Sequence, residues 1–267
     1  MNVPALLRQH GLRPDKRLGQ NFLVDESHLA RIVQAAGVGP NDEVLEVGAG
    51  LGSLTRHLAA AARRVVAVEL DKDLLPILRH ALAGHPNVEI VHGDILQIEP
   101  AKFFSVPGYL VVANIPYYLT SALIRHLLQK EPKPARLTLT VQVEVAQRAC
   151  AAPPDLSLLA LSVQLYGEPS IAHHIPAGAF YPAPKVDSAL LLVELFDQPR
   201  FPKDKVENFF KVAKAAFAQK RKTLANSLTS LPDWTKEQAI ARLQAAGIDP
   251  RRRPQTLTLE EWGRLLD

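Results

Sequence analysis

From residue 43 onward the chain alternates short apolar runs with stretches whose apolar residues recur every three or four positions. The runs at 43–47, 64–70, 88–92, 109–113 and 137–143 are rich in Val, Leu and Ile and predict strands. The stretches at 53–62, 73–82 and 120–129 predict helices, the last capped by Thr120 or Ser121. An earlier helix is expected after Asp25, where Leu29, Ile32, Val33 and Ala36 fall at helical spacing until Gly37 and Gly39-Pro40 end it. Strands alternating with helices predict a parallel sheet covered on both faces. Residues 163–166 and 189–195 read as two later strands, which could form an antiparallel hairpin at the sheet edge. Residues 1–24 are polar and basic with scattered apolar positions, and 13–17 read as loop.

The stretch 197–202 reads as a linker, and beyond it the pattern is helical at 205–218, 220–228, 236–245 and 259–266. The expected organisation is an α/β domain over 1–197 followed by a small all-helical domain over 198–267.

Composition narrows the class. Of 267 residues 47% are hydrophobic and 22% charged, values of a globular protein. No apolar run reaches the roughly 18 residues that span a bilayer, and Met1-Asn2-Val3-Pro4 does not begin a signal peptide. One cysteine, Cys150, excludes an internal disulfide framework and fits a reducing cytoplasm. The net charge is +4, but from Asp197 onward 14 Lys/Arg stand against 9 Asp/Glu. A polyanion partner or a solvated basic surface would each account for that bias.

The first strand runs into Glu46-Val47-Gly48-Ala49-Gly50-Leu51-Gly52. Glycines at a strand-to-helix turn admit positive φ and close approach of a ligand. Ser53 stands where a dinucleotide motif has its third glycine, which weakens a phosphate-cradling role. Glu69, at the end of the second strand, is placed to accept ribose hydroxyls, and Asp94, after the third, an adenine amine. Each acid alone is as readily a helix cap or a solvated loop residue. Three such positions in order, at the carboxyl ends of successive strands, point to one ligand-binding crevice.

Directly after the fourth strand comes Asn114-Ile115-Pro116-Tyr117. An adenine N6 lone pair is delocalised into its ring and is a poor nucleophile. The Asn114 carbonyl and a backbone carbonyl accepting its two N–H bonds would favour a pyramidal nitrogen. Pro116 stiffens the turn, and Tyr117 offers a stacking face. A turn with a helix cap and a core tyrosine is the plainer alternative. Phe180, on the proline-rich loop 180–188, is a candidate second wall of a base pocket or a core residue. Lys220, Arg221 and Lys222, with Arg251, Arg252 and Arg253, supply basic clusters suited to phosphate contacts. His173-His174 has no metal-ligand partner at recognisable spacing and reads as surface, and no metal is expected.

With these motifs in order, the sequence resembles the ribosomal RNA adenine N6-dimethyltransferase family over essentially its whole length. Leu18–Leu23, Val44–Gly52, Glu69–Asp71, Gly93-Asp94, Asn114–Tyr117, Val141–Ala146, Phe180–Ser188, Gln219–Leu228 and Arg253–Glu261 carry the resemblance. It implies a Rossmann-like class I methyltransferase domain, its cofactor site covered by residues 1–24, with a helical RNA-binding domain behind it. It implies S-adenosylmethionine as methyl donor, held by Asn21, Leu23, Gly48, Gly50, Glu69, Asp94 and Asn114, and Asn114, Pro116, Tyr117 and Phe180 at the reacting base. The tail motifs resemble the branch that dimethylates two adjacent adenines in a hairpin near the 3′ end of small-subunit rRNA. A cytoplasmic monomer acting on a pre-30S-type particle is the corresponding expectation. The antibiotic-resistance branch, acting on large-subunit rRNA, is the alternative. Ala49 replaces a frequent proline, Tyr118-Leu119 a frequent Asn-Ile, and residues 149–162 are short and apolar where relatives often carry a longer loop.

Overall fold

A computed structural model describes residues 2–116, 119–219 and 221–266. Tyr117, Tyr118 and Lys220 lie outside the described residues. The strands are β1 (Phe22–Leu23), β2 (Glu43–Val47), β3 (Arg64–Glu69), β4 (Val88–His92), β5 (Leu110–Asn114), β6 (Arg136–Gln142), β7 (Gly167–Ile175), β8 (Phe180–Tyr181) and β9 (Ser188–Leu195). The helices are α1 (Val3–Gln9), α2 (Glu26–Ala36), α3 (Ser53–Ala61), α4 (Leu75–Ala81), α5 (Thr120–Gln129), α6 (Val143–Ala149), α7 (Leu158–Gln164), α8 (Lys203–Phe217), α9 (Leu224–Ser227), α10 (Lys236–Ala245) and α11 (Leu259–Arg264).

Among the described residues seven strands form one sheet in the order β4-β3-β2-β5-β6-β9-β7. β2 pairs in parallel with both β3 and β5, so the strand order reverses direction at β2. β9 returns antiparallel to β6. Val65, Val66, Ala67 and Val68 are all buried, because helices cover both faces of a parallel sheet. On one face Val44, Val65, Leu110 and Val112 pack with Leu29 and Ile32 of α2 and Leu54 and Leu58 of α3. Each such side chain contributes about 1.5–3 kcal/mol by leaving water. Asp25 starts α2 by accepting the N–H groups of Ser27 and His28 at 2.8 and 3.3 Å, and Gly37 ends it with φ of 63°.

The sheet expected from the sequence is present, with differences at its margins. Residues 163–166 are not a strand. Ser157 accepts the Ala160 N–H at 3.1 Å and starts α7, which buries Leu159, Leu161 and Val163. Four residues, three of them apolar, carry no period of their own, so the helical stretch that begins five positions earlier decides their conformation. The strand beside β9 is β7, whose mostly exposed residues give no apolar alternation. α5 takes no side-chain cap: Leu119 occupies that position and Thr120 is buried. The helix expected over 220–228 is shorter, α9 covering Leu224–Ser227. Residues 1–24 contain α1 and β1. α1 packs Val3 and Leu7 with Phe22, Leu51, Leu74 and Ile77 in a second apolar cluster.

The chain divides into two compact units, residues 1–146 with 168–195, and residues 147–167 with 196–267. A single cut near 197 therefore differs from the structure, because residues 147–167 belong with the C-terminal helices. That second unit centres on Phe209 and Trp262, whose rings meet edge-on with centroids 6.2 Å apart. Capping boxes at Thr235/Gln238 and Thr258/Glu261 start α10 and α11.

Candidate active site

A cavity of about 200 Å³ opens at the carboxyl ends of β2, β3, β4 and β5, where the strand order reverses. Gly48 and Gly50 line it from the turn after β2, Glu69 from the end of β3, Asp94 from the turn after β4, and Asn114 from the end of β5. Asn21, Ile115, Pro116 and Phe180 line it as well. Residues drawn from across 160 positions of sequence thus converge on one crevice.

The turn after β2 keeps a fixed shape. Gly48, Gly50 and Gly52 take φ of 77°, 56° and 80°. A Cβ on Gly50 would stand 3.3 Å from the Phe22 ring, so both conformation and space demand glycine there. The Glu69 carboxylate ties the turn down: Oε2 accepts the Gly50 N–H at 2.6 Å and Oε1 the Asp71 N–H at 2.8 Å. Each oxygen retains a lone pair for a hydroxyl donor from a ligand. Burial raises the Glu69 pKa, opposed by the N–H bonds from Asp71 and Gly50.

Asp94 is both a cap and a wall of the cavity. Its Oδ1 accepts the Leu96 N–H at 2.9 Å, which leaves Oδ2 for an amine. Leu70, Ile95 and Leu96 add apolar lining on either side, a surface suited to a flat aromatic ring. They follow Glu69 and Asp94 directly in sequence, a signal present but unused in reading the motifs.

Asn114 Nδ2 donates to the Asn21 carbonyl at 3.2 Å, and Oδ1 meets no donor among the described residues. The Pro116 carbonyl accepts the Leu119 N–H at 2.9 Å. β1 and β8 pair Leu23 with Phe180, which fixes Phe180 as a buried wall. Leu23 itself is buried in the core and does not line the larger cavity. Tyr117 belongs to the undescribed positions. Gln20, within the Leu18–Leu23 motif but given no role there, donates from Nε2 to Asp71 Oδ2 at 2.6 Å and anchors the N-terminal segment beside Glu69.

Beneath the glycine turn lies a smaller cavity of about 30 Å³, lined by Glu46, Gly48, Gly50, Ser53 and Asn114 among others. Glu46 is 1% exposed. Burial, together with the nearby Glu69 charge and against the pull of Thr55, raises its pKa to about 8. A glutamate inside an apolar strand gave no functional signal in the sequence.

The basic positions of the helical unit separate into two kinds. Arg252 is committed, donating to Glu261 Oε1 at 2.5 Å and Oε2 at 3.0 Å, and to the Thr256 carbonyl. Arg251 pairs with Asp249 at 3.0 Å. Arg221, Lys222 and Arg253 are exposed. The two histidines differ as well: His173 Nε2 lies 2.9 Å from His28 Nδ1, and His174 lies 3.5 Å from Asp187. Among the described residues no group of three or more His, Cys, Asp or Glu could hold a metal ion. No helix of the described residues is long and apolar enough to cross a membrane.

Comparison with known proteins agrees with this architecture. The ribosomal RNA adenine dimethylase family profile matches residues 11–265. Ribosomal RNA small subunit methyltransferase A of Dehalococcoides mccartyi is 43% identical over 97% of this chain and 92% of its own. The protein of that name from Moorella thermoacetica is 43% identical over 97% and 93%. Among solved structures, the 23S rRNA methyltransferase ErmE superposes with a TM-score of 0.73 at 31% identity, covering 92% of this chain and 98% of that one. A dimethyladenosine transferase from Plasmodium falciparum reaches a TM-score of 0.78 at 24% identity, covering 91% and 95%, and shows the same fold. With Glu69, Asp94 and Asn114 gathered at three strand ends around one crevice, and a family profile matching nearly the whole length, the chain belongs to the ribosomal RNA adenine dimethylase family.

Proposed function

We propose that this protein transfers methyl groups from S-adenosylmethionine to N6 of adenines in small-subunit rRNA, two on each of two adjacent adenines near the 3′ end. The observation that carries the reading is that Asn114 lines the same cavity as Glu69 and Asp94, its Nδ2 engaged by Asn21 and its Oδ1 without a donor among the described residues. Gly48 and Gly50 receive the amino-acid end of the donor, Glu69 its ribose and Asp94 its adenine amine. The donor supplies an electrophilic methyl on a sulfonium.

The target adenine leaves its stack and enters beside Phe180, with Tyr117, outside the described residues, the expected stacking partner. Its N6 donates one N–H to Asn114 Oδ1 and the other to a backbone carbonyl. The Pro116 carbonyl already serves Leu119, which favours that of Ile115. The lone pair then points at the methyl group. After transfer the nitrogen is cationic and its proton passes to water, so no strong base is needed. Catalysis is positioning and electrostatics. Exposed Arg221, Lys222 and Arg253 fit phosphate contacts that add affinity without reading sequence.

The relatives named for the small subunit, at 43% identity, favour that substrate over the large-subunit alternative suggested by ErmE at 31%. A cytoplasmic monomer working on an assembling small subunit is the setting we infer. The test is a primer-extension and mass-spectrometric map of both rRNAs after incubation with purified protein and labelled donor. Two adjacent dimethyladenosines in small-subunit rRNA are expected. Label confined to large-subunit rRNA would overturn the assignment.

A further inference from the structure

Glu46 has no place in the mechanism above, yet it is among the most costly residues in the fold. Its side chain is buried at 1% exposure, and among the described residues Oε2 has no hydrogen-bond partner. Thr55 Oγ1 of α3 is its polar neighbour, near enough to pull its pKa down but not within good hydrogen-bond geometry of it. An unpaired buried carboxylate is far more expensive than an apolar residue of the same size. Glu46 borders the small cavity, which has room for about one water. That cavity and the methyl-donor cavity share Phe22, Gly48, Gly50 and Asn114 as common walls. The carboxyl therefore sits directly behind the turn that faces the donor.

We infer that Glu46 is a positioning residue for the methyl donor, a buried counter-charge that ionises when the cationic donor fills the adjoining cavity. The inference rests on the donor occupying that cavity. In the empty protein the acid is neutral at pH 7, since burial and Glu69 both disfavour its charge. Among the described residues Glu69, on β3, is the charged group acting on it; α3 contributes the neutral Thr55, and β1 the apolar Phe22 and Leu23. The donor's ammonium and carboxylate offset each other, and its sulfonium leaves a net positive charge that lowers the cost of a second negative charge on the protein. Glu46 O–H then loses its proton to water in the small cavity and on to bulk solvent. The carboxylate that remains attracts the donor, and part of that attraction is lost once the methyl has left and the sulfonium has become a neutral thioether. The same group thereby favours donor over spent product.

Calorimetric titration of S-adenosylmethionine into the full-length protein at pH 7, in buffers of differing ionisation heat, counts protons released on binding. The wild type should release about one proton more per bound donor than Glu46→Gln, in which the donor's own ionisation is unchanged. Glu46→Gln should also lose much of the preference for donor over the thioether product, about tenfold. Difference infrared spectra of the wild type, which do not depend on any variant folding, should lose a protonated-carboxyl band as donor is added. Equal proton counts in the two proteins, or an unchanged carboxyl band, would overturn the inference. Absence of any binding heat in both would instead strike at the donor site itself.

Discussion

The amide nitrogen of Asn114 donates to the main-chain carbonyl of Asn21, 3.2 Å away and 93 positions earlier in the chain. An N-terminal segment thus decides which end of a strand-end amide faces the crevice. Asn114→Ala should lower single-turnover methyl transfer by about 10²–10³-fold, the scale for losing one oriented polar group. Asn114→Asp should be nearly as poor although it keeps an acceptor, because a carboxylate oxygen would face the Asn21 carbonyl. Full activity in either variant would remove the amide from the reaction.

Glu69 serves the turn as well as the ligand. Glu69→Ala should weaken donor binding about 10–100-fold, the scale of one hydrogen bond to a charged group. The Gly50 and Asp71 N–H groups lose their acceptor at the same time. Calorimetry should therefore show a lost binding enthalpy together with a lowered Tm. Unchanged affinity would place the ribose elsewhere.

Gly50→Ala should be more damaging than its size suggests. The backbone at φ of 56° disfavours a side chain by about 1–2 kcal/mol, and the new methyl would press on Phe22. Since Phe22 is part of β1, the displacement should reach Asn21 and its carbonyl. Both donor affinity and methyl transfer should fall, measured by titration and single turnover. A variant with wild-type kinetics would show that the segment tolerates the shift.

Two arginines of the helical unit should give opposite results. Arg252→Ala should cost about 1–3 kcal/mol of stability, seen as a lower Tm, by stripping Glu261 and Thr256 of their partner. Arg253→Ala should leave the Tm alone, weaken RNA binding and reduce its salt slope by about one. Reversed outcomes would exchange their roles.

The stability of the donor-free protein should carry the mark of Glu46. A carboxyl whose folded pKa of about 8 lies above its unfolded value stabilises the fold at low pH. That contribution fades as pH rises from the unfolded value through about 8. Denaturant melts between pH 5 and pH 9 should thus fall more steeply for the wild type than for Glu46→Gln. Parallel curves would mean that the carboxyl is paired in both states.

Much of this site was legible because its residues sit at strand ends, where Glu69, Asp94 and Asn114 each follow a recognisable apolar run. Arg252 was misleading, since a charge run shows where cations are but not which of them meet Glu261. β1 and β8 were unreadable, because two-residue strands have no periodicity and exist through each other's hydrogen bonds. Residues 163–166 show the same weakness at the sheet edge, where the helix start at Ser157 outweighs a short apolar run.

The interrupted make-up of the helical unit matters during synthesis on the ribosome. Leu159, Leu161 and Val163 emerge roughly fifty residues before Phe209 and a hundred before Trp262, the rings that anchor the same unit. A nascent chain must carry α7 unsheltered until translation is nearly complete, which makes it a natural chaperone-binding stretch. A truncation at the linker would leave that stretch permanently uncovered, so loss of RNA binding in such a fragment would report misfolding as readily as a missing contact.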